Sequence, residues 1–102
     1  MDTKPLYDWD EVKRAANLAK HGVDFTAANE FDWAAAHVEV DDRENYGELR
    51  EVAWSFIGYR LHVLVFTRRH VGDDEVIWII SLRKGEKRDV RKYVEATRRD
   101  LA

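Results

Sequence analysis

Leu61-His62-Val63-Leu64-Val65-Phe66 is apolar but for one histidine, and such a run predicts a central strand covered on both sides. The flanking sequence supplies its neighbours. Arg50 to Ile57 alternates, with Val52, Trp54 and Phe56 on one face, and Gly58 marks a tight turn between the two strands. Downstream, Val71 to Glu75 is turn material, and Val76 to Leu82 is another strongly apolar strand. Upstream, His37-Val38-Glu39-Val40-Asp41 alternates as a short exposed strand before the turn cluster Asp41 to Gly47. Short turns need no crossover helix, so an antiparallel four-stranded meander is expected.

Both ends of the chain read as helical. Asp8 or Asp10 can cap a first helix whose apolar positions are Val12, Ala15, Ala16 and Ala19. Lys20 and His21 fall in its last turn and Gly22 just beyond, which suits both the dipole and the backbone. Asp24 can cap a second short helix carrying Phe25, Ala28 and Phe31. Glu86 to Arg99 is helical, with Val90, Tyr93, Val94 and Thr97 on its buried side. The expected fold is α+β and occupies one domain, residues 1–102. It has two N-terminal helices, an antiparallel four-stranded sheet and a C-terminal helix, with the helices on one face.

With 45% apolar residues and four each of Trp, Tyr and Phe, the chain can fold rather than remain disordered. The absence of cysteine excludes disulfides and Cys-based zinc or redox chemistry and fits a reducing compartment. No apolar run is long enough for a signal peptide or a membrane span, so a cytoplasmic protein is expected. Net charge is −3, but residues 81–102 hold eight Lys or Arg against four acids, leaving −7 on the other 80 residues. An acidic body with a basic tail can hold RNA on one face; the same pattern also describes a solvated helix.

Three blocks, in order, resemble the BrnT family of bacterial type II toxin–antitoxin systems. The first is Asp8-Trp9-Asp10 with Lys13, Asn17, Lys20-His21-Gly22-Val23, Phe25 and Ala28. The second is Gly47-Glu48-Leu49-Arg50 with Arg60-Leu61 and Val63 through Arg69. The third is Ile79-Ile80-Ser81-Leu82-Arg83-Lys84 with Asp89 and Tyr93. The chain departs from the family pattern at Trp78 (usually Arg), Arg68 (usually acidic), Leu82 and Gly85 (usually Ala) and Asp89 (usually Glu). The resemblance implies a RelE-like ribonuclease toxin that arrests growth, held by a BrnA-like ribbon-helix-helix antitoxin in a toxin–antitoxin heterotetramer. DNA would be reached only through the antitoxin, and neither a cofactor nor a metal is expected.

Metal-free RNA cleavage needs a base for the 2′-hydroxyl, cations for the charge growing on phosphorus and an acid for the leaving 5′-oxygen. Arginine suits the second task. Arg69 ends the central strand and Arg83 and Lys84 end the next, so antiparallel pairing separates them, with Arg50 near the Arg69 end. Two cationic clusters are therefore on offer, and strand order does not choose between them. His21 and Glu51 are the candidate proton carriers; a helix-end histidine bonded to carbonyls and a solvated strand-edge acid are the ordinary alternatives. Thus Arg50, Arg69, Arg83, His21 and Glu51 are the catalytic candidates, and Lys20, Lys84, Lys87, Arg88 and Tyr93 the RNA-binding ones. Trp33, Trp54 and Trp78 suit a core or an antitoxin interface more readily than base stacking. The rival reading is a catalytically silent module that holds the antitoxin and tunes repression.

Overall fold

The computed structural model describes residues 5–100, with side chains through residue 98. The Arg99 side chain and the ends of the expected domain lie outside the described residues. Five strands are present: β1 (Leu6–Trp9), β2 (His37–Asp41), β3 (Arg50–Ile57), β4 (Arg60–Val71) and β5 (Asp74–Lys84). They form one sheet in the order β1-β5-β4-β3-β2. Strands β2 to β5 pair antiparallel, whereas β1 lies parallel to β5, with Leu6 opposite Val76 and Trp9 opposite Ile79. The sheet is thus mixed and five-stranded, which corrects the expected antiparallel four. Four residues with exposed Leu6 and Asp8 carry too little alternation to announce a strand. Their partner also lies about 70 residues away along the chain, a pairing no local pattern reports.

One α-helix, α1 (Glu11–His21), follows β1. Asp10 caps it, its carboxylate accepting from the backbone N–H groups of Val12 (2.8 Å) and Lys13 (3.2 Å). Gly22 ends it at φ +71°, a conformation that favours glycine. The expected second helix is instead a 3₁₀ segment, Phe25–Glu30, followed by a shorter one, Trp33–Ala35. Phe25, Ala28 and Phe31 recur every third residue and are all buried. A period of three matches the 3₁₀ helix rather than the α-helix.

The 3₁₀ segment and the C-terminal helix do not share a face. Val23, Phe25, Ala28 and Phe31 pack with Ala53, Leu64, Phe66, Ile77, Ile79 and Leu82 on one side of the sheet. Trp54, Leu61 and Val63 form a smaller cluster on the other side, with Val52, Phe56 and Tyr93. Tyr93 belongs to α2 (Lys87–Asp100), which rests on β2, β3 and β4. Helix α2 turns Asp89, Tyr93, Ala96 and Thr97 inward, while Val90 and Val94, expected to be buried, are exposed. The apolar positions of α1 are exposed as well, and Asn17 is its one buried residue. Where β1 stops, the Asn17 amide takes over its role along β5. It donates to the Leu82 carbonyl at 2.8 Å, accepts from the Leu82 N–H at 3.2 Å and donates to Val23 O at 3.0 Å. A buried edge must satisfy its peptide groups, and a carboxamide carries both the donor and the acceptor needed.

Candidate functional site

Between β4 and β5 the register slips by one residue beside Val65 and Phe66. Trp78 faces Thr67, but Ser81 faces Val65 and Arg83 faces Val63. Side chains alternate along a strand, so in a regular ladder Trp78 and Arg83, five residues apart, would point to opposite faces. The bulge brings both onto the face that carries Val52, Trp54, Val63 and Val65.

A groove of about 540 Å³ opens on that face, alongside α2. Val52, Trp54, Val63, Val65 and Ser81 floor it; Lys20, His21 and Arg83 line it on the β5 side, and Glu39, Asp41, Arg43 and Lys92 on the β2 side. Arg83 is clamped by Asp89, its Nη1 and Nη2 donating at 2.8 and 3.2 Å. Asp89 also accepts from the Glu86 N–H at 2.8 Å, at the start of α2, and from the Trp54 indole at 3.4 Å. Burial raises the Asp89 pKa, but the Arg83 and Glu86 hydrogen bonds outweigh it and hold the carboxyl at about 2. Arg83 gives a further N–H to the Lys84 carbonyl. Among the described residues, its Nε–H and one Nη2–H remain for another acceptor.

His21 is half-buried, and its pKa is lowered by burial first, then by the charges of Lys20 and Arg83. A neutral imidazole at neutral pH follows, one able to accept a proton. Across the groove, the Lys92 ammonium pairs with Glu39 at 3.1 Å and lies 5.0 Å from the centre of the Trp54 ring. Glu39 also holds His37 at 2.6 Å, and hydrogen bonds from His37 and Lys92 keep its pKa low despite partial burial.

The second cationic cluster sits farther along the same face. Arg69 lies 4.0 Å over the Trp78 ring and Arg50 4.0 Å over the Tyr46 ring. Glu48 approaches both guanidinium groups, at 3.8 Å each. Asp41 accepts from Arg43 (2.7 and 2.8 Å) and from the Tyr46 hydroxyl (3.4 Å), which fastens the loop that carries Tyr46.

The other expected site residues fall elsewhere. Glu51 lies on the opposite face, bound by Arg68 at 2.6 Å, and Arg68 also reaches Glu75 at 3.0 Å. Lys84 is exposed at the end of β5, opposite His62. Lys87 lines a separate hollow with Arg60, Gly85 and Val90, while Arg88 approaches Glu86 at 3.6 Å. The Tyr93 hydroxyl donates to the Ala35 carbonyl at 2.6 Å, and its ring meets Phe56 edge-on. Lys92, Ser81 and Glu39 line the groove although sequence reasoning singled out none of them as site residues. Lys92 was hidden in the basic run of α2, whose residues differ only in the direction each one faces. Among the described residues, no group of three or more His, Asp or Glu side chains could hold a metal, and no helix is long and apolar enough to cross a membrane.

Residues 9–89 match the family described as the ribonuclease toxin BrnT of type II toxin–antitoxin systems. No curated protein matches the chain. A family match over that span covers all three sequence blocks but for their outermost residues, the whole of β2 to β5 and the groove's lining apart from Lys92. The chain belongs to the BrnT family of ribonuclease toxins, and as a type II toxin it has an antitoxin for a partner.

Proposed function

We propose that this toxin cuts RNA internally, without a metal ion, in the groove that carries Arg83, His21, Lys20 and Lys92. The convergence of an anchored guanidinium, a neutral imidazole and two ammonium groups on one groove supports the reading. Arg83 uses its remaining N–H groups on the non-bridging phosphate oxygens, where charge grows. His21 takes the 2′-hydroxyl proton as the 2′-oxygen bonds to phosphorus. The bond from phosphorus to the 5′-oxygen breaks, and that oxygen takes a proton from Lys92. In-line displacement needs acid and base on opposite sides. β5 and β2 are three strand spacings apart, about 14 Å, so side chains from the two walls reach a phosphate between them. Products carry a 2′,3′-cyclic phosphate and a 5′-hydroxyl. The antitoxin we propose is of ribbon-helix-helix type, covers this basic surface with an acidic or apolar segment and provides the only contact with DNA. The lack of cysteine supports action in the cytoplasm.

The test incubates antitoxin-free protein with mixed RNA in excess EDTA, beside Arg83→Ala and His21→Ala. Wild type is expected to cleave, and Arg83→Ala to lose about 10²–10³-fold. The acid limb of the wild-type pH profile should fall below the ordinary histidine value of about 6.5. Activity is then lost as pH drops through that limb, and Lys20→Met should move its midpoint up. Absence of cleavage by folded wild type, with or without ribosomes, would sink the reading in favour of a silent antitoxin-holding module.

A further inference from the structure

The cluster around Arg50 and Arg69 holds more positive charge than it neutralises. Both guanidinium groups sit on aromatic rings, and Glu48, which approaches both, stays at 3.8 Å from each, beyond hydrogen-bonding distance, while Asp41, opposite Arg50 on β2, is held by Arg43. The Arg50 Nε–H is buried without a hydrogen-bond partner among the described residues, a costly state for a charged donor. Two adjacent cations with open donors call for an anion with several acceptor oxygens, and phosphate is the fit. The rings supply a second element, since unpaired bases stack on aromatic and guanidinium planes.

The position of the cluster defines the ligand further. Thr67 and Val63, the β4 partners of Trp78 and Arg83, lie four residues apart, or about 13 Å, and Arg69 lies another two residues on, near 20 Å. A nucleotide has six backbone bonds against an amino acid's three, so its extended repeat is about 6–7 Å, twice the strand rise. We propose that Arg50, Arg69 and Trp78 form a second RNA subsite, which holds the nucleotide two to three positions from the scissile phosphate by pairing its phosphate and stacking its base. This rests on the reading that cleavage occurs beside Arg83. It makes the substrate a single strand of at least four nucleotides, and it assigns Trp78 a specificity role.

The experiment measures binding of 2′-O-methyl oligoribonucleotides, which cannot be cut, as a mixed-sequence dinucleotide and hexanucleotide. Wild type should bind the hexamer about 10-fold or more above the dimer. Trp78→Leu and Arg69→Glu should shrink that ratio, and Trp78→Phe, which keeps a ring, should restore most of it. Arg69 is exposed, so its variant tests the subsite even if Trp78→Leu unfolds. A wild-type ratio near one, or one unchanged in Arg69→Glu, overturns the proposal. So does a result in which these variants weaken only the antitoxin complex, because the surface then belongs to the partner. If Arg83→Ala still cleaves while the ratio depends on Trp78, the placement of the cleavage centre fails and the subsite stands.

Discussion

Asp89 joins the start of α2 to the cation of the groove through one carboxylate. It accepts from the Glu86 N–H, from two Arg83 nitrogens and from the Trp54 indole, and its side chain is only 7% exposed. Asp89→Ala should cost about 2–3 kcal/mol in urea unfolding, because it leaves Arg83 and a helix-start N–H unpaired. A loss below about 0.5 kcal/mol would show that the cluster is not structural. The acid dependence has a definite sign. With a folded pKa near 2, below the unfolded value near 3.9, the contribution is complete above about pH 4 and fades as pH falls toward 2. In the sequence Asp89 stood out only as a departure from the family's glutamate. Nothing local ties it to Arg83 and Trp54, because that contact depends on β5 and α2 folding back over β3.

At the scale of elements, the bulge beside Ile80 governs which cations share a face. Deleting Ile80 leaves Ile79 and Leu82 two positions apart, so both keep facing the larger core and the ladder to β4 becomes regular. The variant should lose less than about 1 kcal/mol, or under roughly 8 °C in Tm for a chain of this size. A loss of about 3 kcal/mol or more would mean that the bulge itself supports the fold. The strands announced themselves through apolar alternation. The bulge did not, since Ile79-Ile80 reads as two ordinary strand residues and is irregular only relative to β4. Helix α1 shows the same limit. Its caps, Asp10 and Gly22, are local and legible, yet its docking group is Asn17, because the edge of β5 needs a donor and an acceptor more than it needs an apolar face.

Across the whole molecule, net charge is −3, so RNA affinity depends on where the cations lie rather than on how many there are. Arg68 and Arg69 are neighbours in sequence but lie on opposite faces, Arg68 between Glu51 and Glu75 and Arg69 over Trp78. Arg69→Ala should make the slope of log affinity for RNA against log salt shallower by about 0.7, while Arg68→Ala leaves it as in the wild type. Equal changes from both would mean that bulk charge alone sets binding. By itself the sequence determined the family likeness, the meander of β2 to β5, the caps of α1 and the presence of two cationic clusters, because each is written in residues near one another along the chain. Tertiary structure alone decided the fifth strand, the opposite sides taken by the 3₁₀ segment and α2, the clamp on Arg83 and the single face shared by the two clusters. Each of these depends on register and on contacts between distant segments, where a slip of one residue turns every side chain to the other side.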